Sequence, residues 1–342
     1  MGVGSNSLAS RGGAIARQWR LWLGIGVSLF FLIWAFHQVS DFGAIVLALR
    51  GANYLYLIPA LGAYFFGVWL RGVRWHYLLR PLRQVAAGHL FPVVVIGFMA
   101  NDVLPARLGE LVRAYVLGER ENLSKSSILG TIAVERAFDG LTMLIFMAVV
   151  GAFVPLDERL QRIFQVAAAI FAVALVAFFV IASSRARALG LLTTLLRLLP
   201  DRLLTPVSQV AERFMVGLEV MQSGRLLGAT LLLSIGAWLA EATMYYLIAL
   251  GFGLPLGFPA YVLTTAVANL GGMVPSSPGY VGTFEWFALA SLSLFGLSAD
   301  VALSYVLVVH VALLVPVTLL GFFYLWRYGL SLRSLQASRL RG

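Results

Sequence analysis

The sequence predicts an all-α integral membrane protein, arranged as an inverted-topology repeat with six spanning helices and two re-entrant helical hairpins. The first observation is composition: 60% of the 342 residues are hydrophobic and 12% are charged, which is too apolar for a soluble domain. The second is a series of apolar runs that reach the roughly 20 residues needed to cross a bilayer. The third is a pair of interrupted apolar segments, one in each half of the chain, a pattern that points to a transport site.

The two interrupted segments, 90–117 and 262–297, follow the same order of residue types: Asn, Pro, Gly and Glu. Inside a membrane such residues are tolerated only where the backbone is buried in protein or lines a wet cavity. Each segment is therefore predicted to be a re-entrant hairpin. The alternative is that both hairpins cross completely, which gives eight or more ordinary spans. The interrupting residues are Asn101, Pro105, Arg107, Gly109 and Glu110 in the first segment and Asn269, Pro275, Pro278, Gly279, Gly282 and Glu285 in the second.

The first half of the repeat, 21–155, is placed by apolar runs and positive charge. Arginines precede the first run and no small-residue cleavage pattern follows it, so residues 1–20 are predicted to be a cytoplasmic N-terminal tail before an uncleaved helix, 21–36. The span 54–70 then leads to a loop with Arg71, Arg74, Arg80 and Arg83, which the positive-inside rule places in the cytoplasm. The span 128–154 follows the first hairpin.

The second half, 163–326, is predicted to begin on the outer side. A basic linker inside it, 183–225, has apolar residues at helical spacing and is expected to lie along the cytoplasmic membrane surface. Each half then has two spans, a hairpin and a third span, in opposite orientations within a single membrane domain of residues 21–326. The spans of this half are 165–182, 226–250 and 301–326, and residues 327–342 form a predicted cytoplasmic tail.

Charge and composition argue against several classes of function. The net charge is +10, but the basic residues lie in short stretches between apolar runs, so no nucleic acid is expected as a partner. The chain has no cysteine and four scattered histidines, so no metal site is predicted. No ATP-binding loop is present, and no cofactor is predicted. Because no nucleophile and base pair is evident, we predict no catalytic residue and expect that the protein is not an enzyme.

Candidate substrate-binding residues lie in the returning arm of the first hairpin. Arg107, Glu110 and Arg113 are spaced i, i+3 and i+6, which places them on one side of a helix. One carboxylate between two arginines can hold both. The result is a net positive lining for an anionic headgroup, because guanidinium pairs with phosphate in two-point geometry. The alternative is an ion-pair network that fixes the hairpin.

A second cluster lies in the span 128–154, where an unpaired charge costs on the order of 3 kcal/mol. Arg136 and Asp139 are spaced i, i+3, and Glu135 and Asp139 i, i+4, so an internal ion pair is expected. Arg136 is either a headgroup-binding residue or part of a structural lock between this helix and the first hairpin.

Three further residues concern the second half. Glu285 is the one acid of the second hairpin, and it is either a substrate or proton site or a cap for the following arm. Glu241 lies about two-thirds along the span 226–250 and is the candidate for proton coupling, with a neutral hydrogen-bonded glutamic acid as the alternative. His310 is expected to serve packing.

Four motifs occur in order along nearly the whole chain: Arg71-Gly72-Val73-Arg74-Trp75, NDVLPARLGELVR from Asn101 to Arg113, Glu135-Arg136-Ala137-Phe138-Asp139, and PSSPGYVGTFE from Pro275 to Glu285. Together they resemble the flippase-like transmembrane family, which includes the membrane region of lysylphosphatidylglycerol synthases and proteins linked to hopanoid synthesis and lipid-linked glycan assembly. The resemblance implies movement of a lipid between the leaflets of a bacterial inner membrane. Lysine transfer is not expected, because the sequence ends at Gly342 without the soluble aminoacyl-transferring domain of the synthase.

The sequence therefore predicts a transporter of an anionic lipid or lipid-linked headgroup that alternately exposes a cavity between the two hairpins. The alternatives are a membrane-embedded lipid-modifying transferase, with Glu110 or Asp139 as general base, and a non-transporting scaffold of a lipid-synthesis complex. The expected partners are a membrane lipid and, for the scaffold, lipid-biosynthesis enzymes. The predicted substrate-binding residues are Arg71, Arg74, Asn101, Pro105, Arg107, Glu110, Arg113, Glu135, Arg136, Asp139, Asn269, Pro275, Pro278, Gly279, Gly282 and Glu285.

Overall fold

The computed structural model describes residues 6–104, 108–153, 201–218, 223–272, 274 and 276–330, with a few single residues between 165 and 180. Throughout these residues the protein is α-helical and has no strand, which confirms the predicted all-α class. The helices are α1 (Asn6–His37), α2 (Phe42–Gly51), α3 (Leu57–Leu79), α4 (Ala87–Val103), α5 (Gly109–Glu121), α6 (Lys125–Gly151), α7 (Asp201–Leu218), α8 (Gly224–Gly251), α9 (Phe258–Gly271), α10 (Thr283–Ser293) and α11 (Ala299–Arg327), with 3-10 turns at Tyr54–Tyr56 and Pro278–Tyr280.

Three helices among the described residues are long and apolar enough to cross a membrane: Tyr54–Leu79, Gly224–Gly251 and Ala299–Arg327. A fourth crossing is possible if Trp22–His37 and Phe42–Gly51, which meet at a bend of 90°, act as one broken span. Helix α6 is 27 residues long, but it contains three charged residues in its middle. The predicted span 165–182 lies largely outside the described residues. These helices make the chain a multi-pass membrane protein.

One expectation about loops is wrong. The predicted loop that begins at Arg71 is instead the last two turns of α3, which continues to Leu79, so that Arg71 and Arg74 are helical and buried. The positive-inside rule places these arginines in a loop because it counts basic residues and does not consider whether they have ion-pair partners inside the protein. The connection after the first helix contains α2, which is joined to the start of α11 because Asp300 accepts hydrogen bonds from the backbone N–H groups of Ser40 and Asp41.

Both interrupted segments fold as helical hairpins. Helix α4 packs against α5 and α9 packs against α10, while α4 also contacts α11 and α9 also contacts α6. In the first hairpin, a Cβ built on Gly109 would lie 2.2 Å from the carbonyl oxygen of Gly97. In the second, a Cβ on Gly271 would lie 2.1 Å from the ring of Phe287. Glycine therefore permits the close approach of the two arms in each hairpin.

The centre of the bundle is the crossing of α3 and α8, the most extensive helix contact among the described residues. A Cβ built on Gly67 would lie 2.9 Å from the carbonyl oxygen of Ala237, so glycine brings the two helices together here. Buried apolar residues on both sides of the crossing form the core. This crossing positions the charged residues of the candidate site.

The basic linker is described only in part, as helix α7. Helix α7 packs against α6, and a glycine on each helix lies at the contact. A Cβ built on Gly217 would lie 2.0 Å from the carbonyl oxygen of Ser127, and a Cβ built on Gly130 would lie 2.2 Å from the carbonyl oxygen of Phe214. Residues 183–200 and 219–222 lie outside the described residues, as do the predicted tail residues 1–5 and 331–342. The location of the linker at the membrane surface stays a prediction.

Gly109→Ala is expected to destabilise the first hairpin, because its methyl group would overlap a backbone carbonyl that cannot rotate away. We expect a loss of about 1–3 kcal/mol, as in other overpacked sites, measured as a lower melting temperature of the purified protein in detergent. The matched control is Gly88→Ala at the start of α4, where nothing lies within 4 Å of the added Cβ. Equal melting temperatures for the two variants would contradict the close packing of the hairpin arms.

Candidate functional site

A cavity of about 150 Å³ lies between the two hairpins and next to the α3–α8 crossing. Its apolar walls include Phe98, Phe284 and Leu314. The ionisable and amide side chains that line it are Arg71, Asn101, Asp102, Glu110, Arg136, Glu241, Asn269 and His310.

At the α3–α8 crossing, Arg71 and Glu241 form an ion pair. Nη2 of Arg71 lies 2.7 Å from Oε2 of Glu241, and the two side chains are 4% and 7% exposed. Nδ2 of Asn269 donates to Oε1 of the same carboxylate at 3.2 Å, and the guanidinium lies 4.4 Å from the ring of Trp238. Glu241, the candidate for proton coupling, is thus paired with an arginine and an amide.

One turn further along α3, Arg74 joins the same helix to α6 and α8. Its Nη1 donates to Oδ1 of Asp139 and, at 2.8 Å, to Oγ of Ser234. Its Nη2 lies 3.2 Å from Oε1 of Glu135, and Nε1 of Trp238 donates to Asp139 at 2.8 Å. The side chain of Arg74 is fully buried. This arginine therefore serves as a structural link between three helices.

Arg113 completes the ion-pair network from the first hairpin. Its two terminal nitrogens donate to the two oxygens of Glu135 at 2.8 and 2.9 Å, and its guanidinium lies 4.1 Å from the ring of Trp75. The expectation that Glu110 would hold Arg113 is wrong, because Glu135 on the neighbouring helix offers both oxygens in a two-point contact. The expected structural lock between α6 and the first hairpin is thus present.

Arg136 differs from the other three central arginines. It lines the cavity and its side chain is 42% exposed, although it contacts Glu135 and, at 3.3 Å, Asp139. Both contacts use Nη2. A guanidinium has five N–H donors, so Arg136 can bind an anion in the cavity without leaving its carboxylate partners.

At the tip of the second hairpin, Glu285 caps the start of α10. Its Oε2 accepts from the backbone N–H of Gly282 at 2.6 Å, which is the capping alternative raised from the sequence, and its Oε1 contacts Nδ1 of His310. His310 also lines the cavity, so its role extends beyond the packing expected for it. Gly279 and Gly282 have positive φ angles of 71° and 89°, which explains glycine at both positions.

The structure brings some of the predicted site residues to the cavity and others into the surrounding network. Asn101 lines the cavity and its Oδ1 accepts from the backbone N–H of Gly109 at 2.7 Å, which joins the two arms of the first hairpin. Pro105, Arg107 and Pro275 lie outside the described residues. The predicted residues that line the cavity are Arg71, Asn101, Glu110, Arg136 and Asn269. Those in the ion-pair network are Arg74, Arg113, Glu135 and Asp139. Those at the tip of the second hairpin are Pro278, Gly279, Gly282 and Glu285.

Sequence reasoning missed Asp102 and Trp238. Asp102 lines the cavity and accepts a hydrogen bond from Thr318 at 2.7 Å. Its charge inside an apolar helix, next to Asn101, was a signal for it. With Asp102 included, the described lining holds two arginines and three carboxyl groups, so the expected net positive lining is not found there.

No metal site is formed by the described residues, which contain no group of three or more His, Asp or Glu side chains close enough to hold an ion.

Known proteins with similar sequences are membrane proteins for the most part. The sequence pattern of the lysylphosphatidylglycerol synthase TM region matches residues 21–321. A UPF0104 membrane protein of Methanothermobacter thermautotrophicus is 28% identical over 276 residues, which cover 76% of this chain and 81% of that protein. Glycosyltransferase AglD of Haloferax volcanii is 29% identical over 261 residues, which cover 67% of this chain but only 42% of that protein. A UPF0104 membrane protein of Methanocaldococcus jannaschii is 22% identical over 309 residues.

Arg113→Ala is expected to reduce the free energy of unfolding by about 3–5 kcal/mol, because it leaves buried carboxylate oxygens of Glu135 without their two-point partner. Arg113→Lys should recover only part of this loss, since a lysine cannot make both contacts. Thermal unfolding in detergent measures both effects. The control is Lys125→Ala, which removes an exposed ion pair with Glu119 at 2.8 Å and should cost less than about 1 kcal/mol. Similar losses for the buried and exposed pairs would show that the network does not stabilise the fold.

Proposed function

Because the chain belongs to the family of the lysylphosphatidylglycerol synthase transmembrane region, we propose that it is a lipid transporter that moves an anionic lipid or lipid-linked headgroup between membrane leaflets. The observation that carries the proposal is the cavity between the two hairpins, where a partly exposed arginine, Arg136, lies among buried ion pairs. A phosphate oxygen is the ligand that best fits such a guanidinium.

The other central arginines support this role for Arg136 by their own contacts. Arg71, Arg74 and Arg113 are each held by buried carboxylates, and separating a buried charge from its partner costs about 3–5 kcal/mol. A headgroup bound at Arg136 would leave these three buried ion pairs intact. We propose Arg136 as the residue that contacts the phosphate, with Arg71, Arg74 and Arg113 in positioning roles.

The carboxyl groups of the lining suggest what else the headgroup carries. Asp102 and Glu110 line the same cavity as Arg136, and a carboxylate accepts hydrogen bonds but donates none when ionised. A substrate that presents hydroxyl or amino groups beside its phosphate would satisfy both the arginine and the acids. Glycerol, sugar and amino-alcohol headgroups all meet this requirement.

The pairing of helices supports an inverted repeat. An inverted repeat would make α3 correspond to α8, α4 to α9, α5 to α10 and α6 to α11. The contact of α4 with α11 then corresponds to the contact of α9 with α6, and the α3–α8 crossing corresponds to itself. All of these contacts are present. We propose two related halves with re-entrant hairpins entering from opposite sides, which would expose the cavity to each leaflet in turn. The first half would start in the cytoplasm of a bacterial cell and both termini would lie there.

A membrane-embedded transferase is the second candidate, and the name of the relative Glycosyltransferase AglD favours it. Since the match covers less than half of that protein, the shared part need not hold its transferase activity. In this chain, Asp139 is fully engaged by Arg74 and Trp238, which makes it a poor general base. Of the two general bases considered, Glu110 is the one that lines the cavity.

Arg136→Gln is expected to slow lipid translocation at least tenfold, roughly the effect of losing a charge-assisted hydrogen bond, while the melting temperature changes little because Glu135 keeps Arg74 and Arg113. The measurement follows fluorescent phosphatidylglycerol between leaflets of liposomes that contain the purified protein. Arg50→Gln, at an exposed arginine of α2, is the control and should translocate normally. Loss of transport in proportion to loss of folded protein would assign Arg136 to the structural lock. Modified lipid in place of moved lipid would favour the transferase.

The proposed topology is tested with single cysteines, which are simple to introduce into a chain that has none. A membrane-impermeant thiol reagent is applied to intact cells and to inverted vesicles. The inverted repeat predicts reaction from the cytoplasmic side at Arg80→Cys and Arg120→Cys, and from the outer side at Gly257→Cys and Ala299→Cys. A split of either pair across the membrane would overturn the re-entrant hairpin, because a segment that enters and leaves on one side keeps both of its ends on that side.

A further inference from the structure

The two ring nitrogens of His310 each lie at hydrogen-bond distance from an oxygen atom. Nε2 is 2.7 Å from the carbonyl oxygen of Gly279, and Nδ1 contacts Oε1 of Glu285. The other oxygen of Glu285 accepts from the backbone N–H of Gly282. His310 on α11 and Glu285 on α10 thus hold the turn of the second hairpin at both of its positive-φ glycines.

The number of protons in this arrangement follows from hydrogen-bond valence. A backbone carbonyl can only accept, so Nε2 must carry a hydrogen. In a neutral imidazole Nδ1 is then an acceptor, and the contact with Glu285 requires a protonated carboxyl group; in a charged imidazolium Nδ1 donates, and the carboxylate is ionised. Either way, the contact contains one proton more than a neutral histidine beside an ionised glutamate.

We propose that Glu285 and His310 together form a binding site for one exchangeable proton, and that release of this proton loosens the turn 276–282 from α11. Without the proton, a neutral imidazole has one N–H for two acceptor oxygens, so either Nδ1 faces the carboxylate or Nε2 faces the carbonyl of Gly279 as a pair of acceptors, and one of the two contacts is lost. The closed turn is therefore stabilised at low pH and weakened as the pH rises. The site is accessible to water because His310 lines the cavity.

Several other groups surround the proton site. Asp102 on α4 lies on the same cavity, and the backbone oxygen of Asp102 would be 3.7 Å from a Cβ on Gly279. The ring of His310 stacks on Phe284 at 4.3 Å, which shields one of its faces. The other ionisable groups facing the cavity from neighbouring elements are Tyr64 and Arg71 on α3, Glu110 on α5, Arg136 on α6, Glu241 on α8 and Tyr280 in the turn.

The proton site distinguishes the two hairpins. The first hairpin is joined to its neighbouring helix by Arg113 and Glu135, and an arginine stays protonated at all physiological pH values. The second is joined by a histidine and a carboxyl group, whose contact contains one exchangeable proton. Proton release would therefore free one hairpin and leave the other in place. The consequence for transport rests on the proposed function, but the proton site itself does not.

The test uses the rate at which a thiol reagent modifies Leu314→Cys in the purified full-length protein. Leu314 lines the cavity beneath the turn, since a Cβ on Gly279 would lie 3.4 Å from its Cδ1. Rates are measured from about pH 5 to about pH 8 with and without Glu285→Gln. The glutamine can donate to Nδ1 of a neutral His310 and still accept from Gly282, so it keeps the closed turn without a proton. Because the reporter thiol is the same, the ratio of the two rates removes its own titration.

We expect the ratio of parent to Glu285→Gln rates to rise about tenfold across this range, the effect of losing one charge-assisted hydrogen bond. A ratio that stays constant would overturn the proposal. His310→Gln, which keeps a donor for the carbonyl oxygen of Gly279 but has no imidazole, should likewise remove the pH dependence. This variant replaces Glu285→Gln in the test if Glu285→Gln does not fold. His89→Gln, at an exposed histidine of α4, is the matched control and should leave the parent profile unchanged; an equal effect there would also overturn the proposal. No lipid movement is measured, so this outcome is independent of the transport assay.

Discussion

Two arginines one helical turn apart on α3 connect three helices of the bundle. Arg71 reaches α8 through Glu241, and Arg74 reaches α6 through Asp139 and Glu135. In an apolar interior an unpaired charge is costly, so these pairs fix how α3, α6 and α8 lie relative to one another. The position of both hairpins follows, because α4 and α5 pack on α3 and α6 and α9 packs on α6 and α8.

The same constraint decides which charges are available for a ligand. Arg74 and Arg113 share Glu135 with Arg136, so the network has more guanidinium donors than carboxylate oxygens can satisfy. Buried nitrogens without a hydrogen-bond partner are Nη1 of Arg71, Nε of Arg74 and Nε of Arg113, while Arg136 is 42% exposed at the edge that borders the cavity. A network that stabilises the bundle is therefore compatible with the proposed binding role of Arg136.

The sequence was sufficient to predict the helical hairpins, the ion-pair lock and the glutamate cap, because each follows from local spacing or from the cost of a charge in an apolar segment. It could not show that Arg71 and Arg74 belong to the helix, since their partners lie far away in the chain, at Asp139 and Glu241. His310 was underestimated for the same reason: its contacts, Gly279 and Glu285, are brought to it only by the fold. The number of spans and the orientation remain predictions.

The two hairpins solve one problem, attachment to a neighbouring helix, with different chemistry. A bidentate arginine pair holds the first, where the side chain of Asn101 also joins the two arms, and two contacts of one histidine hold the second. The second tip also contacts α1, since the backbone N–H of Ser277 donates to Ser28 at 2.8 Å. Under the proposed alternation of two related halves, one hairpin would yield while the other holds. The second hairpin has the contact that contains an exchangeable proton, so we expect the second to be the one that yields.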